Sequence, residues 1–187
     1  NTGFGGAIKN LSMGCAARAG KLVMHSCSKP AVHAEKCTAC GRCKGVCQVN
    51  AIEISGVAVI TERCTGCVRC VGICPEKAIA NRWDNSNEEL QKRMAEYAAA
   101  TVNAFSKPVI CVTLLTSMVP ACDCNPGNDA PLVHDLGFMA STDPVALDRA
   151  ACDLVKQHYG GIDPFEERNK VSGDIQINHA RDIGLGT

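Results

Sequence analysis

Cys37-Thr38-Ala39-Cys40-Gly41-Arg42-Cys43-Lys44-Gly45-Val46-Cys47-Gln48 recurs 27 residues later as Cys64-Thr65-Gly66-Cys67-Val68-Arg69-Cys70-Val71-Gly72-Ile73-Cys74-Pro75. The cysteines correspond one for one: Cys37 to Cys64, Cys40 to Cys67, Cys43 to Cys70 and Cys47 to Cys74. The match runs on through Ala51-Ile52 and Ala78-Ile79. A repeat this short cannot enclose a core by itself, so the two copies are expected to pack together about a pseudo-twofold axis. Each copy reads as a cysteine loop, a short helical turn and an apolar strand. Between them Ile52, Ile54, Val57, Val59 and Ile60 flank Gly56, the pattern of two short strands and a turn.

Outside the repeat the periodicity changes. Asn85-Ser86-Asn87 can cap a helix whose buried stripe is Leu90, Met94, Tyr97, Thr101 and Phe105, ended by Lys107-Pro108. Val109-Ile110-Cys111-Val112-Thr113-Leu114-Leu115 is nearly continuous in apolar residues, as a central strand hidden on both faces would be. Thr142 or Asp143 can cap a further helix with Pro144 in its first turn, followed by Val145, Ala146, Leu147, Ala150, Ala151, Leu154 and Val155 and broken at Gly160-Gly161. Alternating strand and helix signals predict an α/β scaffold. It is assembled from residues 1–33 and 83–187, with residues 34–82 inserted. The opening Asn1-Thr2-Gly3-Phe4-Gly5-Gly6 reads as the later part of a longer protein, with upstream scaffold missing.

The chain has 187 residues, 46% of them hydrophobic, with 19 basic and 19 acidic side chains, so it has the apolar content for a core and no basic nucleic-acid footprint. Fourteen cysteines in a chain with no long apolar run and no visible signal segment point to a reducing compartment, here the cytoplasm, rather than a disulfide scaffold.

Two runs of the form C-x2-C-x2-C-x3-C have the spacing of a two-cluster bacterial ferredoxin. In that arrangement the fourth cysteine of each run crosses over. Cys37, Cys40, Cys43 and Cys74 would hold one [4Fe–4S] cluster, and Cys64, Cys67, Cys70 and Cys47 the other. The expected fold is therefore an α/β scaffold with an inserted α+β two-cluster ferredoxin-like module. Zinc also accepts four thiolates but is usually held by paired C-x2-C knuckles, so two zinc knots are the lesser reading. Gln48 stands where the second run has Pro75, a change of turn that removes no ligand. Basic residues outnumber acidic ones across 34–82, which favours cluster reduction more than a strongly acidic shell would; they read as a solvated surface, with guidance of an acidic redox partner as the alternative.

Six cysteines fall outside the runs. Cys15, Cys27, Cys122 and Cys124 are the candidate set for a third metal or redox site, against the blander reading of separate thiols; Cys111 and Cys152, with apolar neighbours, read as core residues. Gly14-Cys15-Ala16-Ala17-Arg18-Ala19-Gly20-Lys21 has one residue too many for a phosphate loop and is followed by Leu22 where a Ser or Thr is required. Gly3-Phe4-Gly5-Gly6 reads as an ordinary turn and Lys9 and Lys21 as surface residues, with an anion contact as the lesser reading. The five histidines are too scattered to form a metal triad, and Asp143 and Asp148 read as a cap and a solvated acid.

The order of Gly5-Gly6-Ala7-Ile8-Lys9-Asn10-Leu11, Met13-Gly14-Cys15, Gly20-Lys21, Met24-His25, Lys29-Pro30, the cysteine runs, Glu96-Tyr97, Cys122-Asp123-Cys124, Asp135-Leu136-Gly137 and Ser141-Thr142-Asp143-Pro144-Val145-Ala146-Leu147-Asp148 resembles the iron–sulfur branch of the family called "domain of unknown function 362". The resemblance spans nearly the whole chain. It implies an α/β domain with an inserted two-cluster module, common in anaerobic bacteria and archaea, and no particular reaction. The expected function is an iron–sulfur electron-transfer protein or redox subunit, a possible oxidoreductase component. It would relay single electrons to a redox protein or enzyme subunit, with self-association also open. Two alternatives stand beside it: a reductase with an additional metal or substrate site near Cys15, Cys27, Cys122 and Cys124, and a structural iron–sulfur assembly module.

Overall fold

The structure, a computed structural model, describes residues 2–25, 29–82, 86–122, 124, 127 and 129–187. Its elements in chain order are α1 (Ala7–Lys9), continued by a π-helical turn at Asn10–Gly14, α2 (Arg18–His25), β1 (Ala31–Val32), α3 (Arg42–Gly45), β2 (Ile52–Ser55), β3 (Val57–Ile60), α4 (Arg69–Ile73) and β4 (Ile79–Ala80). They continue with α5 (Asn87–Asn103), β5 (Cys111–Leu115), β6 (Gly137–Ser141), α6 (Pro144–His158), α7 (Pro164–Asn169) and α8 (Asp174–Asp182). Contacts divide the chain into two compact units, Asn1–Cys15 with Ser86–Thr187, and Ala16–Asn85. Among the described residues no helix is long and apolar enough to cross a membrane.

In the larger unit the helices begin where local chemistry dictates. Ser86 Oγ accepts the Glu89 N–H at 3.1 Å to start α5, and Asp143 Oδ1 accepts the N–H groups of Val145 and Ala146 at 2.9 Å to start α6, with Pro144 in the first turn. The face α5 buries is Leu90, Gln91, Met94, Ala95 and Ala98; Phe105, expected in the buried stripe, lies beyond the helix end at Asn103 and is exposed. Gln91 is buried because it is partnered. Its side-chain amide donates to Ser172 O at 3.0 Å, its carbonyl accepts the Gln176 N–H at 3.2 Å, and the Gln176 side chain in turn donates to Thr2 O.

β5 and β6 pair antiparallel, with Val112 opposite Ala140 and Leu114 opposite Phe138. The expectation of a central strand hidden on both faces is corrected by this two-stranded ribbon. Cys111 and Leu115 point into the core, while Val112 and Leu114, at 57% and 66% exposed, lie on the bare face with Phe138. Strand side chains alternate, and among the described elements helix packing covers one face only.

In the smaller unit the repeat folds as two similar halves sharing one small core of Cys43, Ile52, Ala58, Cys70 and Ile79. β2 and β3 form a hairpin about Gly56, and β1 pairs with β4. The repeat extends to the backbone. Ala39 and Gly66, Gly41 and Val68, and Asn50 and Lys77 all have left-handed φ, between 48° and 75°. Val68 is costly there, because a β-branched side chain crowds its own backbone at positive φ.

The expected architecture, an α/β scaffold with an inserted two-cluster ferredoxin-like module, is corrected to a small α/β fold with open two-stranded sheets. The overturning finding is that among the described residues no group of three or more His, Cys, Asp or Glu side chains is placed to hold a metal ion. The physical reason is local: Cys43 and Cys70 are built into the apolar core beside Ile52 and Ile79, where a thiol acts as a small hydrophobe.

Candidate functional site

The repeated cysteines were the first expected site, and the structure places them as follows. Cys37, Cys40, Cys43 and Cys74 line one small, partly open recess of about 20 Å³ with Ala58 and Ile79. Cys47 lies on a separate, open recess with Arg18, Gln48, Val68 and Arg69. Four of the sulfurs accept backbone N–H groups: Cys37 from Ala58, Cys47 from Ala51, Cys64 from Gly66 and Cys74 from Ala78, at 3.2–3.4 Å. Burial raises the pKa of Cys43, and it pushes Cys70 up to about 11, which favours the thiol over the thiolate a metal requires.

As placed, these residues do not fit the expected group. The two [4Fe–4S] clusters and the third metal centre are accordingly corrected, because among the described residues no metal-holding group of side chains is found. With them fall the electron-transfer function, the reductase and iron–sulfur assembly alternatives, and the redox protein or enzyme subunit as partner, since the clusters motivated each of these.

Five of the six remaining cysteines are among the described residues and separate into three kinds. Cys111 is buried and Cys152 partly so; burial raises the pKa of both, Cys152 to about 12, and their expected core placement is what the packing shows. Cys15 ends the π-helical turn and is exposed, and Cys27 lies outside the described residues. Cys122 and Cys124 are brought together: the Cys124 thiol donates to Cys122 Sγ at 2.9 Å.

A third group joins them from far away in the chain. Lys9 Nζ donates to Cys122 Sγ at 3.2 Å, and both residues line a cavity of about 510 Å³ with Gly6, Asn10, Thr116 and Ser117. Each partner is held from behind. The N–H groups of Ala7 and Ile8, at the start of α1, donate to the two oxygens of Asp148 at 2.7 and 2.9 Å, which fixes the turn that carries Lys9. Gly6 is required beneath it, since a Cβ there would lie 2.3 Å from Asp148 Oδ1. On the other wall Ser117 takes a left-handed φ of 48° and donates its N–H to Asp135 at 2.8 Å, while Asn169 on α7 donates to Pro120 O at 2.9 Å. These bonds anchor the segment that delivers Cys122.

The electrostatics split the pair. Burial opposes ionisation of Cys122, but hydrogen bonds from the Cys124 thiol and amide and from Lys9, together with the Lys9 charge, outweigh it and hold the pKa below the usual thiol value. The same contact acts in reverse on Cys124. Its donation to Cys122 raises its pKa, and burial and the Cys122 charge add to the rise. Two thiols whose acidities are pushed apart are suited to different parts, one as nucleophile and one as proton donor.

Asp148 was expected to be a solvated acid and is instead fully buried, with burial raising its pKa to about 6 against the two N–H donors that lower it. Its position was readable: residue 148 falls with Pro144, Ala151 and Val155 on the buried face of α6, where a charged side chain needs a partner. The Lys9 contact left no such trace.

A family model described as "Domain of unknown function (DUF362)" matches residues 1–153. No curated protein matches the chain, and no solved structure does. The narrower placement in an iron–sulfur branch is corrected: the match is to the family alone, and the side-chain placement that branch implies is not found among the described residues.

Proposed function

Since the chain belongs to the DUF362 family, whose description assigns no activity, we propose from its own residues that the larger unit is a thiolate site for covalent chemistry on a small polar acyl donor. The observation that carries this reading is Lys9 Nζ at 3.2 Å from Cys122 Sγ on the wall of a 510 Å³ cavity.

Cys122 is the nucleophile. Its thiolate attacks the acyl carbon, and the Lys9 ammonium, which favours the thiolate before attack, faces the negative charge that develops on the carbonyl oxygen. The leaving group departs with the proton of the Cys124 thiol, giving an acyl thioester on Cys122 and a thiolate on Cys124. That thiolate then takes a proton from water as the hydroxide attacks the thioester, releasing the carboxylic acid and restoring Cys122. Asn10, Thr116 and Ser117 supply polar groups around the substrate. The chemistry requires both sulfurs reduced, so the reading includes a reducing compartment such as the cytoplasm.

The test uses p-nitrophenyl acetate and peptide mapping of the acetylated protein. A burst of p-nitrophenol with acetyl on Cys122, lost in Cys122→Ser, is expected. Acetyl distributed over other thiols, or a burst unchanged in that variant, removes the proposal.

A further inference from the structure

We infer that Cys122 and Cys124 form a reversible oxidation site that a low-molecular-weight disulfide closes into an internal disulfide, switching the thiolate site off. The Cys122–Cys124 bond does not depend on the acyl-transfer reading; its effect on activity rests on that reading.

Three observations carry the inference. The two sulfurs are in direct hydrogen-bonded contact at 2.9 Å and the Cys124 N–H also faces Cys122 Sγ, at 3.5 Å, so the resolving thiol is already beside the attacking one. Both residues are exposed, which admits a disulfide of glutathione size. Lys9 on the opposite wall favours the thiolate form of Cys122, the form that attacks a disulfide. None of the repeated cysteines combines such a cation contact with such exposure among the described residues.

The exchange balances in two steps. The Cys122 thiolate attacks one sulfur of the small disulfide, forming a mixed disulfide and expelling a small thiolate. Cys124, giving its proton to that departing thiolate, then attacks the Cys122 sulfur and expels the second small thiolate. The protein loses two electrons, and the small disulfide is reduced to one thiol and one thiolate, the latter taking its proton from water. A single residue separates the cysteines, so the ring closed by the bond is tight and reduction readily reopens it.

Equilibrating the whole chain with mixtures of oxidised and reduced glutathione, followed by alkylation of remaining thiols and peptide mapping, tests this. The expected result is one peptide lighter by about 2 Da that holds Cys122 and Cys124 unalkylated, the mark of an internal disulfide, with the p-nitrophenyl acetate burst lost and then restored by dithiothreitol. In Cys124→Ser, glutathione is expected to remain on Cys122. A glutathione adduct that persists on Cys122 in the wild type, or a bond from Cys122 to another cysteine, overturns the inference. If the internal disulfide forms and the burst survives, the switch is overturned. If the reduced protein shows no burst while the disulfide still forms, the acyl-transfer reading fails and the oxidation site stands.

Discussion

Cys70 and Cys122 carry the same thiol, and their surroundings drive it in opposite directions. Cys70 sits in the small core of the Ala16–Asn85 unit, where burial outweighs the neighbouring backbone donors and pushes its pKa up to about 11. Cys122 sits at the edge of a polar cavity, where a second thiol and an ammonium outweigh burial and lower it. The short-range cysteine pattern of the repeat was the conspicuous one, yet a cation brought from 113 residues away distinguishes the other. Reactivity therefore follows the contacts a thiol makes rather than the density of cysteines around it.

The comparison breaks most readily at the nucleophile. Cys122→Ser is expected to abolish the p-nitrophenyl acetate burst, since no thioester can form without the thiolate, whereas Cys70→Ala leaves it unchanged. Stopped-flow absorbance of the two variants measures this; equal losses would erase the distinction. A smaller but still large effect is expected in the other region. Ile79 is buried between the two halves of the repeat, and Ile79→Ala should destabilise the fold by about 2–5 kcal/mol through lost burial and the cavity left behind. Urea unfolding followed by circular dichroism provides the value.

How much of this was legible depended on the range of the interaction. The helices at 87–103 and 144–158 were, because their caps, Ser86 and Asp143, and the spacing of Leu90, Met94, Leu147 and Ala151 are local. The 27-residue repeat was visible as a repeat and does fold as two similar halves, down to the paired left-handed residues Gly41 and Val68. Reading its cysteines by spacing alone overlooked the core positions of Cys43 and Cys70 and the backbone amides that face four of the others. The apolar run at 109–115 promised a doubly covered strand, and only tertiary structure could reveal that Val112 and Leu114 face away from the helices. The Lys9, Cys122 and Asp148 assembly joins segments more than 110 residues apart in the sequence, and no periodicity encodes that.

Burial acts on an acid in the larger unit as it does on Cys70, which yields a pH test. The carboxyl of Asp148 has its pKa raised to about 6 from 3.8, so the folded state holds the proton more tightly than the unfolded one. The stability this contributes is fully present below about pH 4 and is lost as pH rises through about 6, on the order of 3 kcal/mol in all. Asp143 has its pKa lowered, since the N–H and hydroxyl donors outweigh burial, so its contribution is lost as pH falls below 3.8 and does not mask this window. Urea midpoints between pH 4.5 and pH 7.5 should fall with rising pH in the wild type and stay nearly level in Asp148→Asn. A level wild-type profile would mean that the α1 anchor does not titrate there.

The smallest expected effect separates the cation from the rest of the Cys122 environment. Lys9→Met removes one hydrogen bond and the positive charge but keeps the donation from Cys124, so Cys122 should become less acidic without returning to the behaviour of a buried core thiol. The contact is exposed, and such charge contacts contribute about 0.2–1 kcal/mol, so the rate of iodoacetamide alkylation at neutral pH should fall by about fivefold or less. Because the thiolate is the reacting form, the rise of that rate with pH should move to higher pH in Lys9→Met, while Lys9→Arg keeps it near the wild-type position. Alkylation of Cys122 followed by peptide mapping across pH measures the displacement. Coincident profiles for the wild type and Lys9→Met would assign the lowered acidity to Cys124 alone, and the contrast between the two regions would then rest on paired thiols rather than on a distant cation.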